Sequence, residues 1–187
     1  ALTMGKDHIS FVLGDVKRVL PVREVKPGVR VALFNPLGDH ELNEALGAAL
    51  TSKIPEGTQV LLMPDGKAQA LLHVLGRNSK LPTLVAKKEI KSYMKLPVVQ
   101  GARDECMTST GGEAFYIGAD QAEELKGKQV LIVDDVVSTG GSLKAMRELL
   151  KATGALESGV LCVFTEGGDR ADVMALGNLP VNDPAWD

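Results

Sequence analysis

The chain predicts an α/β fold: an open, mostly parallel twisted sheet flanked by helices. Three observations carry that expectation. Short aliphatic runs recur at residues 29–34, 59–63, 83–86, 130–133 and 159–165. Most are separated by segments long enough for a crossover helix, which argues for parallel neighbours with right-handed connections. The run at 130–133 is aliphatic at every position, as a strand buried on both faces must be.

The elements follow in order. Residues 9–27 alternate weakly between apolar and polar, the pattern of a small β unit. Residues 29–34 make the first clear strand. Asp39 stands where a helix N-cap stands, and Leu42, Ala45, Leu46, Ala49 and Leu50 recur behind it at helical spacing. Pro55 and Gly57 stop that helix. Residues 59–63 form the second strand, and Pro64-Asp65-Gly66 turns out of it. A helix over 67–75 turns Ala68, Leu71, Leu72 and Leu75 inward. Residues 83–86 are the third strand. Residues 91–118 hold Pro97, Gly101, Gly111 and Gly112, mixed charges and no sustained period. So long an irregular stretch points to an active-site lid, with a surface hairpin as the alternative. After the strand at 130–133, Leu143, Met146, Leu149 and Leu150 mark one helix face, and Gly154 stops it.

Composition bounds the function. The 187 residues suit one domain spanning 1–187, with a core of useful size. A hydrophobic fraction of 44% excludes a disordered chain. A net charge of −3 gives no pull toward nucleic acid, so no direct nucleic-acid binding is expected. No run approaches the ~20 apolar residues of a membrane span. Lys6, Asp7 and His8 interrupt the start of the chain before any signal-peptide core. Two cysteines, Cys106 and Cys162, make no disulfide scaffold and suit a reducing cytoplasm. Cys162 sits in an aliphatic run as a small core residue, and Cys106 in a polar segment.

Residues 130–142, Val-Leu-Ile-Val-Asp-Asp-Val-Val-Ser-Thr-Gly-Gly-Ser, say more than the rest of the chain. Asp134 and Asp135 are placed where the strand ends. Val137 leads into Ser138, Thr139, Gly140, Gly141 and Ser142, which open the next helix. This order surrounds an anion with backbone N–H groups and a helix N-terminus, and sets carboxylates beside it. The loop suits a phosphate, and the acids suit ribose hydroxyls or a hydrated magnesium ion. One ligand that presents all three is 5-phosphoribosyl 1-pyrophosphate. A solvated acidic strand end is the plain alternative.

Ligands of an open parallel sheet bind beyond the carboxyl ends of its strands. Asp65 and Lys67 follow the second strand, Lys87 and Lys88 the third, Asp134 and Asp135 the fourth, Glu166 the fifth. Acids and bases thus converge on one rim. A dinucleotide enzyme is excluded, because no G-x-G-x-x-G follows the first strands.

The 130–142 segment resembles the signature of the type I phosphoribosyltransferases, two acids followed by a T-G-G-[ST] phosphate loop. The resemblance runs from about residue 25 to about residue 170 in the family's order. It is nearest to the purine, adenine phosphoribosyltransferase-like branch. Residues 60–68 resemble that branch's pyrophosphate loop, with Asp65, Gly66 and Lys67 matching and Ala68 in place of a glycine. Val-Ala-Lys-Lys at 85–88 resembles Ala-Arg-Lys, with Lys87 for the arginine. The stretch from Lys91-Ser-Tyr-Met to Glu113 resembles the flexible lid, and Asn35-Pro-Leu-Gly38 a turn on the base side of the pocket. Ser109-Thr110-Gly111 stands where adenine enzymes carry Glu-Tyr-Gly. The glutamate that manages the purine proton is therefore missing or displaced, with Glu105 and Glu113 nearby.

The resemblance implies a type I phosphoribosyltransferase fold with a lid at about 91–113. A small hood would come from the N-terminal segment and about 166–187. It implies transfer of a phosphoribosyl group from 5-phosphoribosyl 1-pyrophosphate to a purine base, adenine as the first choice. The products would be a nucleoside 5'-monophosphate and pyrophosphate. Asp134 and Asp135 would be catalytic and would hold Mg2+ directly or through water. Val137, Ser138, Thr139, Gly140, Gly141 and Ser142 would bind the 5'-phosphate. Asp65, Gly66, Lys67, Lys87, Lys88 and Lys91 would bind pyrophosphate, and Tyr93, Ser109, Thr110 and Glu113 would belong to the lid. A homodimer is implied as well. The alternative is a non-catalytic regulator of the same fold that senses phosphoribosyl pyrophosphate or nucleotide. The missing lid glutamate speaks for it, and the lack of a basic stripe or a helix-turn-helix speaks against it.

Overall fold

The computed structural model describes residues 1–102 and 114–187. In chain order the elements are β1 (Leu2–Met4), β2 (His8–Leu13), β3 (Val16–Lys26), β4 (Val29–Ala32), α1 (His40–Thr51), β5 (Val60–Pro64), α2 (Gln69–Ser79), β6 (Thr83–Ala86), β7 (Val99–Ala102), β8 (Ala114–Ile117), α3 (Ala119–Leu125), β9 (Gln129–Val137), α4 (Gly141–Thr153), β10 (Leu156–Glu166) and β11 (Gly177–Leu179). A 3-10 turn, Pro184–Trp186, follows.

The main sheet has five parallel strands in the order β11-β10-β9-β5-β6. Successive residues of a strand point to opposite faces, and all-apolar strands therefore supply two cores. Leu61, Met63, Leu131, Val133, Leu161 and Val163 pack on one face with α1, α2 and the N-terminal strands. Val60, Leu62, Val130, Ile132, Val160 and Cys162 pack on the other with α4 and β8.

The N-terminal β unit is a four-stranded antiparallel sheet in the order β1-β2-β3-β4. The strand expected at 29–34 exists as β4, but it belongs here and not to the parallel sheet. Only Pro27 and Gly28 separate it from β3, and a connection that short permits only an antiparallel neighbour. Phe11 of β2 and Phe34 each set a ring edge against Phe164 of β10, with centroids 5.1 Å apart. Asp39 caps α1 through the Leu42 amide at 3.1 Å. It also receives Arg18 of β3 at 2.6 and 2.9 Å, which ties the unit to that helix. The Arg18 guanidinium holds the Asp39 carboxyl down at about 2.

Three further differences from expectation stand out. β9 runs on to Val137, so Asp134 and Asp135 lie inside the strand and not past its end. The reason is β10, which continues alongside with Cys162 opposite Asp134 and Thr165 opposite Val137. The irregular segment contains a two-stranded hairpin, β7 with β8, that packs on α4. Gly101 makes that approach possible, because a Cβ there would run into the Ala145 carbonyl and the Leu149 amide. α3 and β11 had no forecast. Among the described residues no helix is long and apolar enough to cross a membrane.

Candidate active site

The β9–α4 connection has the build of an anion cradle. Its loop lies below a polar cavity of about 390 Å³, lined by Asp134, Val137, Ser138, Thr139, Gly140, Gly141, Ser142 and also Lys26. Gly140 is the N-cap of α4, with φ +83 and no side chain to cap the first amides. Such an end attracts an anion through its N–H groups and dipole. A Cβ on Gly140 would also collide with the guanidinium of Arg170.

The two acids take different stations. Adjacent strand residues face opposite ways. Asp134 lines the cradle cavity. Asp135 lies 3.8 Å from Lys67 Nζ with its side chain only 15% exposed. Each carboxylate is oriented by the next amide: Asp135 N–H donates to Asp134 Oδ1, and Val136 N–H to Asp135 Oδ1, both at 2.8 Å.

The expected pyrophosphate residues gather at the ends of β5 and β6. Lys67 donates to the Phe34 carbonyl at 2.7 Å as well as facing Asp135. Lys87 pairs with Asp65 at 2.9 Å, and both side chains are largely covered. Asp65 also accepts from Gln69 at 2.6 Å. The backbone of Lys87 is joined to Tyr116 of β8, which fixes the hairpin to this rim. Gly66 and Lys88 are exposed. Lys91 pairs with Glu89 at 2.7 Å, and that carboxylate raises its pKa. Tyr93 is exposed. Glu105, Cys106, Ser109, Thr110 and Glu113 lie outside the described residues.

Beside the cradle is a larger cavity of about 650 Å³, the size of a small-molecule site. The β3–β4 hairpin contributes Val25, Lys26, Val29 and Val31. The end of β10 contributes Glu166, the loop after it Asp169 and Arg170, and the tail Val181. Both segments expected to form a hood thus line one cavity. Asn35 lines a different one, with Arg18 and Asp39, so the 35–38 turn is not on this wall. The tail braces the hairpin: Asn182 accepts from the Arg30 amide at 2.7 Å and donates to the Gly28 carbonyl at 2.9 Å.

Sequence reasoning missed Lys26 and Arg170. Arg170 is held by Asp172 at 2.9 and 3.0 Å, and Asp172 by Arg147 of α4 at 2.9 Å. The two guanidinium groups keep the Asp172 carboxyl well below the usual range, Arg170 first. Lys26 follows no expected parallel strand, and Arg170 lies further along the loop after the fifth strand than the end residue that the strand-end rule picks out, Glu166. Cys162 lies under the acids, with its thiol pushed up to about 12 by burial, and is a packing residue.

The donor set suits magnesium. The available groups are carboxylates, the hard oxygen ligands it prefers. Among the described residues no three or more His, Cys, Asp or Glu side chains form a metal cage.

Acids inside a central parallel strand, a glycine-opened loop after it, and cations at the neighbouring strand ends stand together on a type I phosphoribosyltransferase fold. The family model for the phosphoribosyl transferase domain matches residues 74–176, and the chain belongs to that family. It lies on the purine, adenine phosphoribosyltransferase-like branch. The adenine phosphoribosyltransferase of Mycobacterium marinum is 32% identical over 139 residues, covering 74% of this chain and 72% of that one. The hypoxanthine/guanine phosphoribosyltransferase of Methanocaldococcus jannaschii is 31% identical, covering 60% of this chain and 56% of that one. The solved adenine phosphoribosyltransferase of Leishmania tarentolae shares the fold, with a TM-score of 0.65 at 15% identity, over 92% of this chain and 84% of that one.

Proposed function

We propose that the protein transfers the phosphoribosyl group of 5-phosphoribosyl 1-pyrophosphate to a purine base, adenine as the first choice. The products are a nucleoside 5'-monophosphate and pyrophosphate. The observation that carries this is the end of β9, with Asp134 toward an anion cradle and Asp135 toward Lys67.

The residues from Val137 to Ser142 hold the 5'-phosphate, the end that does not react, and so fix the sugar's orientation. Asp134 and Asp135 hold the ribose hydroxyls and lie where positive charge grows as the bond from C1 to pyrophosphate lengthens. Fixed charges of this kind are usually the largest catalytic contribution. The purine nitrogen forms the new bond to C1 and gives up its proton, for which Glu105 and Glu113 are the candidate acceptors. Lys67 and Lys87 neutralise the departing pyrophosphate at the rim, aided by Asp65-Gly66, Lys88 and Lys91. Asp134 and Asp135 would hold magnesium directly or through water, and the ion would add neutralisation of the phosphates. The lid of this reading, about 91–113 with Tyr93, Ser109, Thr110 and Glu113, would exclude water, the competing nucleophile, from an anchor at Val99–Ala102 on α4. The β3–β4 hairpin and the 166–187 segment form the hood over the base. The working assembly is a homodimer of one-domain chains.

A base panel tests the reading. The protein is supplied with phosphoribosyl pyrophosphate, Mg2+ and, separately, adenine, guanine, hypoxanthine, xanthine, uracil and orotate, with pyrophosphate release as readout. Release with adenine above the other bases is the expected result. Tight phosphoribosyl pyrophosphate binding with no release for any base would replace the enzyme with the sensing regulator.

A further inference from the structure

The cradle's own strand, loop and helix start bring it hydroxyls, amides and a carboxylate. A doubly charged phosphate monoester beside Asp134 calls for a cation as well. Lys26 is the lysine that lines this cavity, and it comes from the N-terminal sheet. It is the last residue of β3, exposed, and also lines the larger cavity. Its backbone is placed by a rigid support. Lys26 pairs with Val29 across the hairpin, Asn182 grips Gly28 and Arg30, and Val31 bridges to Val181. Lys67, by contrast, is already engaged with Phe34 and Asp135.

Resting on the phosphoribosyl reading of the cradle, we infer that Lys26 is a ligand of the 5'-phosphate. The hairpin is then more than a wall of the base cavity. It carries a charge that the β9–α4 loop lacks. The same short segment, Val25 to Val31, touches both the phosphate end and the base end of the substrate. An ammonium on a flexible stem suits this task, because it can follow the phosphate without a fixed fork.

Calorimetry with ribose 5-phosphate tests the inference, with inorganic pyrophosphate as the control ligand. Lys26→Met should weaken ribose 5-phosphate about 10- to 100-fold, the scale of one lost charge-assisted phosphate contact. Pyrophosphate affinity should stay within about threefold, well under one such contact. Lys26→Arg should recover most of the loss, which separates lost charge from a damaged hairpin. Unchanged ribose 5-phosphate affinity in Lys26→Met, with tight wild-type binding, would overturn this inference and leave the cradle reading intact. The same holds if the variant raises only the KM for the base, because Lys26 would then read the base. A wild type that fails to bind ribose 5-phosphate would overturn the cradle reading, and the inference with it.

Discussion

At the β9–α4 end the anion site is made largely of backbone. Gly140 holds a left-handed conformation, and no side chain caps the helix start. At the β5–β6 end the site is made of side chains, and those cations already have partners: Lys87 with Asp65 at 2.9 Å and Lys67 with Asp135 at 3.8 Å. Amides cannot leave their places, so the first end is ready before the ligand arrives. On the proposed reading the second end exchanges a carboxylate for a phosphate oxygen. Each cation keeps an anionic partner throughout, so the exchange is reversible. The contrast fits the chemistry, since one anion must stay and the other must depart.

The double variant Asp134→Asn, Asp135→Asn should have the largest effect, because these acids serve both ends. Transfer should fall at least 100-fold, on the scale of about 10²–10³ seen when one preorganised group is lost. The melting temperature should change little, since each Asn keeps an oxygen acceptor for the backbone amide that its acid serves. Marked unfolding with unchanged ligand affinity, seen by calorimetry, would make the pair structural.

Gly140→Val should come next. A left-handed φ costs a branched residue roughly 1–2 kcal/mol, and the new Cβ meets Arg170. Affinity for phosphoribosyl pyrophosphate and for a nucleoside monophosphate should both fall, by roughly 10- to 100-fold in titration. Equal affinity would break the backbone half of the comparison.

Lys67→Ala tests the other half. Phosphoribosyl pyrophosphate should weaken about 10- to 100-fold, and a nucleoside monophosphate far less, because it has no pyrophosphate to lose. Equal loss of both ligands would show that Lys67 does not read pyrophosphate.

Asp39→Ala should disturb neither end selectively. It removes the α1 cap and the Arg18 pair, at a cost of about 1 kcal/mol in denaturant unfolding. The ratio of the two ligand affinities should not change. In the wild type this contribution is present above the unfolded carboxyl's value near 4 and is lost as pH falls toward about 2. A melting series that shows the variant's deficit growing as pH falls would contradict the sign.

Lys87→Arg should be the smallest change. A guanidinium can keep Asp65 and still present a fork to phosphate, so affinity should hold or improve, within about threefold. A large loss would mean that the Lys87 ammonium is held in a space that no fork fits.

Most of the parallel sheet was legible in sequence because its strands are buried on both faces and need no context. β4 was misplaced because its sheet is decided by a two-residue turn and not by its own composition. α3 escaped because seven residues with one buried position, Leu125, show no period. β11 is three residues long and has meaning only beside β10. That the acids adjoin the 138–142 loop, and that Lys67 and Lys87 gather nearby, could be read because the first are contiguous and the others follow strand ends. Lys26 and Arg170 reach the site through a hairpin and a loop, and only folding brings them there.

Phe164 carries a consequence for how the chain is made. Its ring receives Phe11 and Phe34, two residues synthesised long before it. Their shared core cannot close until β10 has left the ribosome, so the N-terminal strands wait for a partner from the other end of the chain. Contacts so distant in sequence delay closure. A nascent chain stalled ahead of residue 164 should be cut by protease within the first 34 residues, and one released beyond β11 should resist.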